Sequence, residues 1–244
     1  MPKVALSYGH GANTYEDVRS KFVIVGGKVY EEHTFNATVG EKVRAILERH
    51  GVDVLVVQPP MGKDVPLQVR TDKADKWKAD LYWSIHANAA SPSARGLCAF
   101  YWKTSPDGKR AADLYAKFAK EYGFPLYSGG TYPSQRGDWT NFHELRETDM
   151  PAVITENGFM TNPDDFELIF KNKDGFYDSL SLIHAKAILA YLGIAYKAPA
   201  KPATVAPKKK FIFTTGTFTE GYPAIEDFEK FMKDKNFKYK KLEI

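Results

Sequence analysis

Cysteine is almost absent from this sequence. Cys98 is the one cysteine in 244 residues, so no internal disulfide staples the fold. Within the apolar run Leu97-Cys98-Ala99-Phe100-Tyr101 a lone thiol packs as a small buried hydrophobe. Long apolar runs are missing too. None approaches the ~20 residues of a bilayer-spanning helix, which excludes membrane insertion. No basic segment with a long apolar stretch behind it precedes Val4-Ala5-Leu6, so no secretory leader is read and synthesis in the cytoplasm is expected. A surplus of one charge sign is also lacking. The net charge is +4, and residues 208–244 hold nine lysines against six acids, about three of those charges. That excludes a broad nucleic-acid-binding face on the remainder. What is present is the composition of an ordinary globular chain, 43% hydrophobic, neither disordered nor fibrous.

Taken in order, Val4 to Tyr8 reads as a buried strand that leaves through Gly9-His10-Gly11-Ala12-Asn13. Phe22 to Gly27 forms either a hairpin or an irregular loop. Phe35, Val39, Val43, Ile46 and Leu47 recur at helical spacing from about Glu32, and Gly51 stops that helix. Val52 to Val57 is a strand, and Leu67, Ala74 and Trp77 mark a helix. Strands follow at Leu81–His86 and Gly96–Trp102, then an amphipathic helix over Lys109–Tyr122 closed by Gly123. Phe124 to Phe142 is rich in Gly, Pro, Ser and Tyr, has no periodicity and reads as a long substrate-facing loop. Pro151 to Glu156 is a strand, Asn162-Pro163-Asp164-Asp165 a helix start with cap, proline and acids, and Tyr177–Leu192 a final helix ended by Gly193. This alternation over residues 1–195 predicts an α/β domain with a mostly parallel sheet flanked by helices. An Ala/Pro-rich linker spans 196–207. Residues 208–244 read as a small β-α-β module, below the size at which a lone core is comfortable.

In open α/β sheets the ligand site lies beyond the carboxyl ends of the strands. His10, His86 and Glu156 stand at or just after such ends, and Glu32 opens a helix from the same rim. Two imidazoles and one carboxylate with an open position make a catalytic zinc set, and a further carboxylate can act as general base. Plainer readings stand beside this one. His10 is a glycine-flanked loop histidine, His86 a polar strand end, and Glu32 an acid favoured by the helix dipole. Glu156 is harder to dismiss, because a charge after Val153-Ile154 is costly without a purpose. His50 ends a helix, His184 lies within one, and His33 and His143 are candidates for the cleft wall.

Four motifs in order carry a resemblance: Gly9-His10-Gly11, Glu32-His33-Thr34-Phe35-Asn36, Ser84-Ile85-His86-Ala87-Asn88, and Pro151-Ala152-Val153-Ile154-Thr155-Glu156-Asn157-Gly158-Phe159. Over residues 3–193 the chain resembles the zinc-dependent N-acetylmuramoyl-L-alanine amidases of the amidase-3 family. The resemblance implies Zn2+ held by His10, Glu32 and His86, with Glu156 as the catalytic carboxylate. It selects Glu32 over Glu31 through the family's Glu-x-x-x-Asn spacing, which puts Glu32 and Asn36 on one helix face. Arg70 matches an arginine that the family carries between its second and third motifs. Ser7-Tyr8-Gly9-His10-Gly11 departs from the family's Asp-Pro-Gly-His-Gly and removes an aspartate that would support the site. Peptidoglycan is the implied substrate, cut between N-acetylmuramic acid and L-alanine, and Asn88, Arg136 and Trp139 are the expected substrate contacts. With no leader read, the expected role is a phage endolysin that reaches the cell wall after release. The alternatives are a host autolysin or spore-lysis amidase and a non-enzymatic wall-binding protein. A zinc carboxypeptidase is disfavoured because no close His-x-x-Glu pair is present. The segment Phe213–Thr219 with its following helix is loosely similar to half of a sporulation-related glycan-binding repeat, which implies a wall-binding module that completes its sheet as a homodimer.

Overall fold

The structure is a computed structural model and describes residues 1–14, 21–199, 230 and 233–235. By internal packing the chain divides into Met1–Lys197 and Ala198–Ile244. Apart from 196–199, 230 and 233–235, the expected linker and C-terminal module lie outside the described residues. In the first unit, β1 (Lys3–Tyr8) is followed by β2 (Phe22–Val25), β3 (Lys28–Glu31), α1 (Glu32–Arg49), β4 (Asp53–Gln58), α2 (Leu67–Trp77), β5 (Leu81–Asn88) and β6 (Leu97–Trp102). Then come α3 (Pro106–Glu121), β7 (Leu126–Ser134), the one-turn α4 (His143–Arg146), β8 (Ala152–Phe159), α5 (Pro163–Lys171) and α6 (Phe176–Tyr191).

Six strands form one sheet in the order β4-β1-β5-β8-β6-β7. β4, β1, β5 and β8 are mutually parallel; β6 runs antiparallel to β8 and parallel to β7. Strands β1, β5 and β8 are apolar on both faces because helices cover both. Leu6, Tyr8, Trp83, Ile85 and Val153 pack with side chains of α1, α3 and α6 on one face. Ala5, Tyr82, Ile154 and Phe100 pack with Ala74 of α2 and Leu145 of α4 on the other. Every parallel step therefore delivers its strand end to the same rim, which is where the candidate residues gather.

Several expectations resolve differently in detail. Phe22–Glu31 is an antiparallel hairpin, since Gly26 and Gly27 both adopt the positive φ that a tight two-residue hairpin turn needs. The helix expected from Lys109 starts at Pro106, because the Ser105 side chain accepts from the Gly108 N–H and Pro106 fills the first position. The loop expected over Phe124–Phe142 is half strand. Leu126 and residues 131–134 pair with β6 on either side of a break in register where Ser128, Gly129 and Gly130 adopt positive φ, and 135–142 is left irregular. An edge position explains why the sequence does not look like a strand: glycine and proline are tolerated where one side needs no partner.

Candidate metal centre

His10 follows β1 in a left-handed conformation, φ 62°, which turns the loop back over the ends of β1 and β5. Gly9 before it packs directly against the His86 imidazole, and a Cβ there would collide with the ring. The Gly9 N–H also bonds the Ile85 carbonyl at 3.0 Å, continuing the pairing of β1 with β5. His33, buried at the start of α1, has Nδ1 at 3.0 Å from the Gly9 carbonyl and accepts from the Met61 N–H through Nε2. Burial pushes its pKa down, so it serves as a neutral clamp on the His10 loop. Arg70, 1% exposed, adds a second clamp through the Val65 and His10 carbonyls and an ion pair to Asp64.

Glu32 projects from the first turn of α1 between the two histidines. Its Oε2 lies 3.1 Å from His10 Nε2 and its Oε1 3.0 Å from His86 Nδ1. Oε1 also accepts from Asn36 Nδ2 and from the Ala87 N–H, both at 3.0 Å. Asn36 thus sits one turn along the same face, as the Glu-x-x-x-Asn spacing requires. One nitrogen from each histidine and one oxygen of Glu32 lie within 4.8 Å of one another, an arrangement that can hold a metal ion. Burial alone would raise the Glu32 pKa, but the charges and hydrogen bonds of His10 and His86 hold it well below the usual carboxylate value.

Glu156 stands beside His86 because β5 and β8 are parallel neighbours with His86 opposite Glu156. Its Oε2 is buried without a hydrogen-bond partner, and it lines the cleft with His10, Glu32, His86, Lys21 and Asn88. Burial, helped by the charge on Glu32 and opposed by His86, raises its pKa to about 8. On the other side of β8, Cys98 is opposite Glu156, and its thiol is fully buried with its pKa pushed up by burial.

Asn88 is on the cleft wall, where its Oδ1 caps the Ala89 N–H. Arg136 and Trp139 do not line the cleft. Arg136 is exposed, 3.8 Å from Glu147, and Trp139 is 72% exposed, packed on Phe100, Tyr132 and Phe142. Phe142, His143 and Glu144, just beyond them, form the wall instead. Glu144 is the residue that sequence reasoning missed. It is 4% exposed, accepts from Ser7 Oγ at 2.8 Å, Ser84 Oγ at 3.2 Å and the Tyr82 hydroxyl, and its Oε2 lies 3.9 Å from His86 Nε2. Burial would raise its pKa, but His86, Arg70 and these donors bring it to about 2. The one local signal was Ser7 and Ser84, hydroxyls facing inward on two otherwise apolar strands, which require some buried polar partner. For His86, burial would lower the pKa, but Glu144, Glu32 and Glu156 raise it to about 10.

An α/β sheet that brings two imidazoles and three carboxylates to the ends of its parallel strands has a candidate metal centre of the kind that metal-dependent hydrolases use. Comparison with known proteins makes the class specific. The chain belongs to the Amidase_3 family, N-acetylmuramoyl-L-alanine amidase, whose model matches residues 4–188, and it is an enzyme of that class acting on peptidoglycan. The N-acetylmuramoyl-L-alanine amidase CwlM of Bacillus licheniformis is 27% identical over 201 residues, covering 82% of this chain and 72% of that protein. The endolysin of Bacillus phage SPP1 is 34% identical over 149 residues, 58% of this chain and about half, 49%, of the endolysin. Among solved structures, the catalytic domain of CwlV from Bacillus (Paenibacillus) polymyxa var. colistinus superposes with a TM-score of 0.66 at 28% identity, over 80% of this chain and 100% of that one.

Proposed function

We propose that the chain is a zinc-dependent hydrolase of the amide between N-acetylmuramic acid and L-alanine, and that its role is that of a phage endolysin. The observation that carries the zinc reading is the donor set itself. Two neutral-capable imidazoles and a buried carboxylate converge beside a second acid with an unpartnered oxygen, and such a set fits zinc better than the all-oxygen shells of magnesium or calcium. His10, Glu32 and His86 would hold the ion. When bound, zinc supplies Lewis acidity toward the scissile carbonyl and lowers the pKa of a water toward ~7.

The protein's own residues do the remainder. Glu156, anchored on β8 beside His86, takes the proton of the attacking water and returns it to the departing amine nitrogen. Its raised pKa suits both acts, because it ionises close to the working range and is a competent acid afterwards. Lys21 at the cleft mouth favours its ionised form. The cleft holds about 270 Å³, less than pockets that engulf a whole drug-sized ligand. It therefore takes one linkage of an extended polymer, met by Asn88 on the cleft wall, with flanking sugar and peptide lying outside near Trp139 and Arg136.

A digest of purified cell wall tests the chemistry. Amidase action creates new alanine N-termini on the stem peptide and no new reducing sugar ends, and chelation abolishes it until zinc is restored. Glu156→Gln is expected to bind zinc and wall normally while losing turnover by at least 10²-fold; full turnover in that variant would remove Glu156 from its role. The endolysin role is supported by the likeness to the SPP1 protein. In a Bacillus host, expression of the chain should cause lysis only when a membrane-opening partner is co-expressed. Lysis by the chain alone would favour a host autolysin.

A further inference from the structure

Glu144 has no part in the chemistry described above, yet it is a charged residue buried against the candidate metal centre. Its place is built, not incidental. Ser7 and Ser84 are register partners on neighbouring parallel strands, and both present small hydroxyls on the face that α4 covers. Tyr82 lies one step back along β5 on that face. Together they leave a polar notch between apolar neighbours, and the short helix α4 lowers the Glu144 carboxylate into it.

We propose that Glu144, acting through the Ser84 hydroxyl, fixes the His86 ring so that it binds the metal through Nδ1. This rests on the reading that His10, Glu32 and His86 hold a metal ion. An ionised carboxylate can only accept hydrogen bonds, so the hydroxyls of Ser7, Ser84 and Tyr82 must all point their protons at Glu144. Ser84 has a single proton. Having given it to Glu144, its oxygen can only accept from His86 Nε2, 3.1 Å away. Nε2 therefore carries a hydrogen that stays in place, and Nδ1, 3.0 Å from Glu32 Oε1, is the nitrogen whose proton a metal ion would displace; the His10 and His86 ring centres are 4.8 Å apart. At 3.9 Å, Glu144 Oε2 is too far from Nε2 for a direct hydrogen bond but close enough to favour charge on the ring. Arg70 Nη1 donates to Ser7 Oγ at 3.1 Å and supplies the compensating cation. Ser7 is also the position where an aspartate was expected, so the carboxylate on this side of the site comes from α4 instead of β1. Glu144 is thus a positioning residue, and outer partners of this kind tune metal affinity by roughly 10–100-fold.

The test is zinc affinity of the full chain, measured by competition with a chromophoric chelator, for wild type, Glu144→Gln and Ser84→Ala. Both variants are expected to bind zinc 10–100-fold more weakly while their melting temperatures without metal move in no fixed proportion to that loss. Histidine-selective NMR of the zinc-loaded wild type should show a slowly exchanging His86 Nε2–H, absent in Ser84→Ala. Should Glu144→Gln fail to fold, Ser84→Ala decides alone, since it leaves Glu144 with Ser7 and Tyr82. Wild-type affinity in the folded variants overturns the proposal and leaves the metal reading standing. Failure of the wild type to bind zinc overturns both.

Discussion

Gly9 has no side chain because the His86 imidazole occupies the space one would need. Gly9→Ala is therefore expected to displace the ring, and misplacement by about 1 Å costs on the order of 10²-fold in activity. A kcat/KM for wall digestion within threefold of wild type would show that the loop absorbs the methyl. His184 makes a different residue-scale prediction. It is fully buried and accepts from Trp83 Nε1 at 3.0 Å through Nδ1, while Nε2 meets Asn157 Oδ1 at 2.9 Å. Tryptophan only donates, so a proton on Nδ1 would break this contact, and burial brings the pKa down from 6.5 to about 3. The folded value lies below the unfolded one. The neutral ring's contribution is complete above pH ~6.5 and is lost as pH falls toward about 3, at up to ~1.4 kcal/mol per pH unit. His184→Gln removes the titration, so urea unfolding of chelator-treated protein between pH 4.5 and 7 should give a shallower pH slope than wild type. Parallel slopes would mean that other groups carry the acid sensitivity.

At the scale of elements, the two capped helices separate local from tertiary effects. Ser105 caps α3 by accepting from Gly108 at 3.0 Å, and its loss to alanine should cost about 1 kcal/mol. Asn162 caps α5 through Asp164 and Asp165 N–H groups, and its amide also donates to the Pro92 carbonyl at 2.7 Å. Asn162→Ala should therefore cost about 2 kcal/mol, the cap plus a tertiary bond. Equal losses in urea denaturation would show that the Pro92 bond contributes nothing net. The Asn162 start was legible because cap, proline and acids are adjacent in the chain. The same grammar stands at Ser105-Pro106-Asp107, where the apolar spacing from Lys109 onward drew the boundary too late. β7 was not legible as a strand, since an edge strand's pairing is decided by β6 alongside it and not by its own Gly- and Pro-containing sequence.

For the molecule as a whole, metal and fold are expected to be linked. A ligand that binds the folded chain at 1,000 times its Kd adds about 4 kcal/mol. Zinc should therefore raise the melting temperature by on the order of 10 °C for a unit of this size. Unchanged melting with and without chelator would argue that His10, Glu32 and His86 hold no ion tightly. The tail carries the other whole-molecule proposal, a wall-binding module that associates with a second copy. Light scattering of residues 1–195 against the full chain should give a monomer and a dimer; two monomer masses would end that idea. Among the described residues no helix is long and apolar enough to cross a membrane.

Period and punctuation in the chain were enough to determine most of the alternating elements and the parallel core of the sheet, because each of those features is written in neighbouring residues; they put His10, Glu32, His86 and Glu156 at strand ends or a helix start, and the family resemblance alone proposed their roles. Whether Glu32 or Glu156 faces both histidines, that β8 slips between β5 and β6, and that Glu144 fills the notch of Ser7 and Ser84 were decided only in three dimensions. Those outcomes depend on strand order and on side chains dozens of residues apart meeting in one low-dielectric space, where an unpaired charge is too costly to leave and a partner from any element will satisfy it.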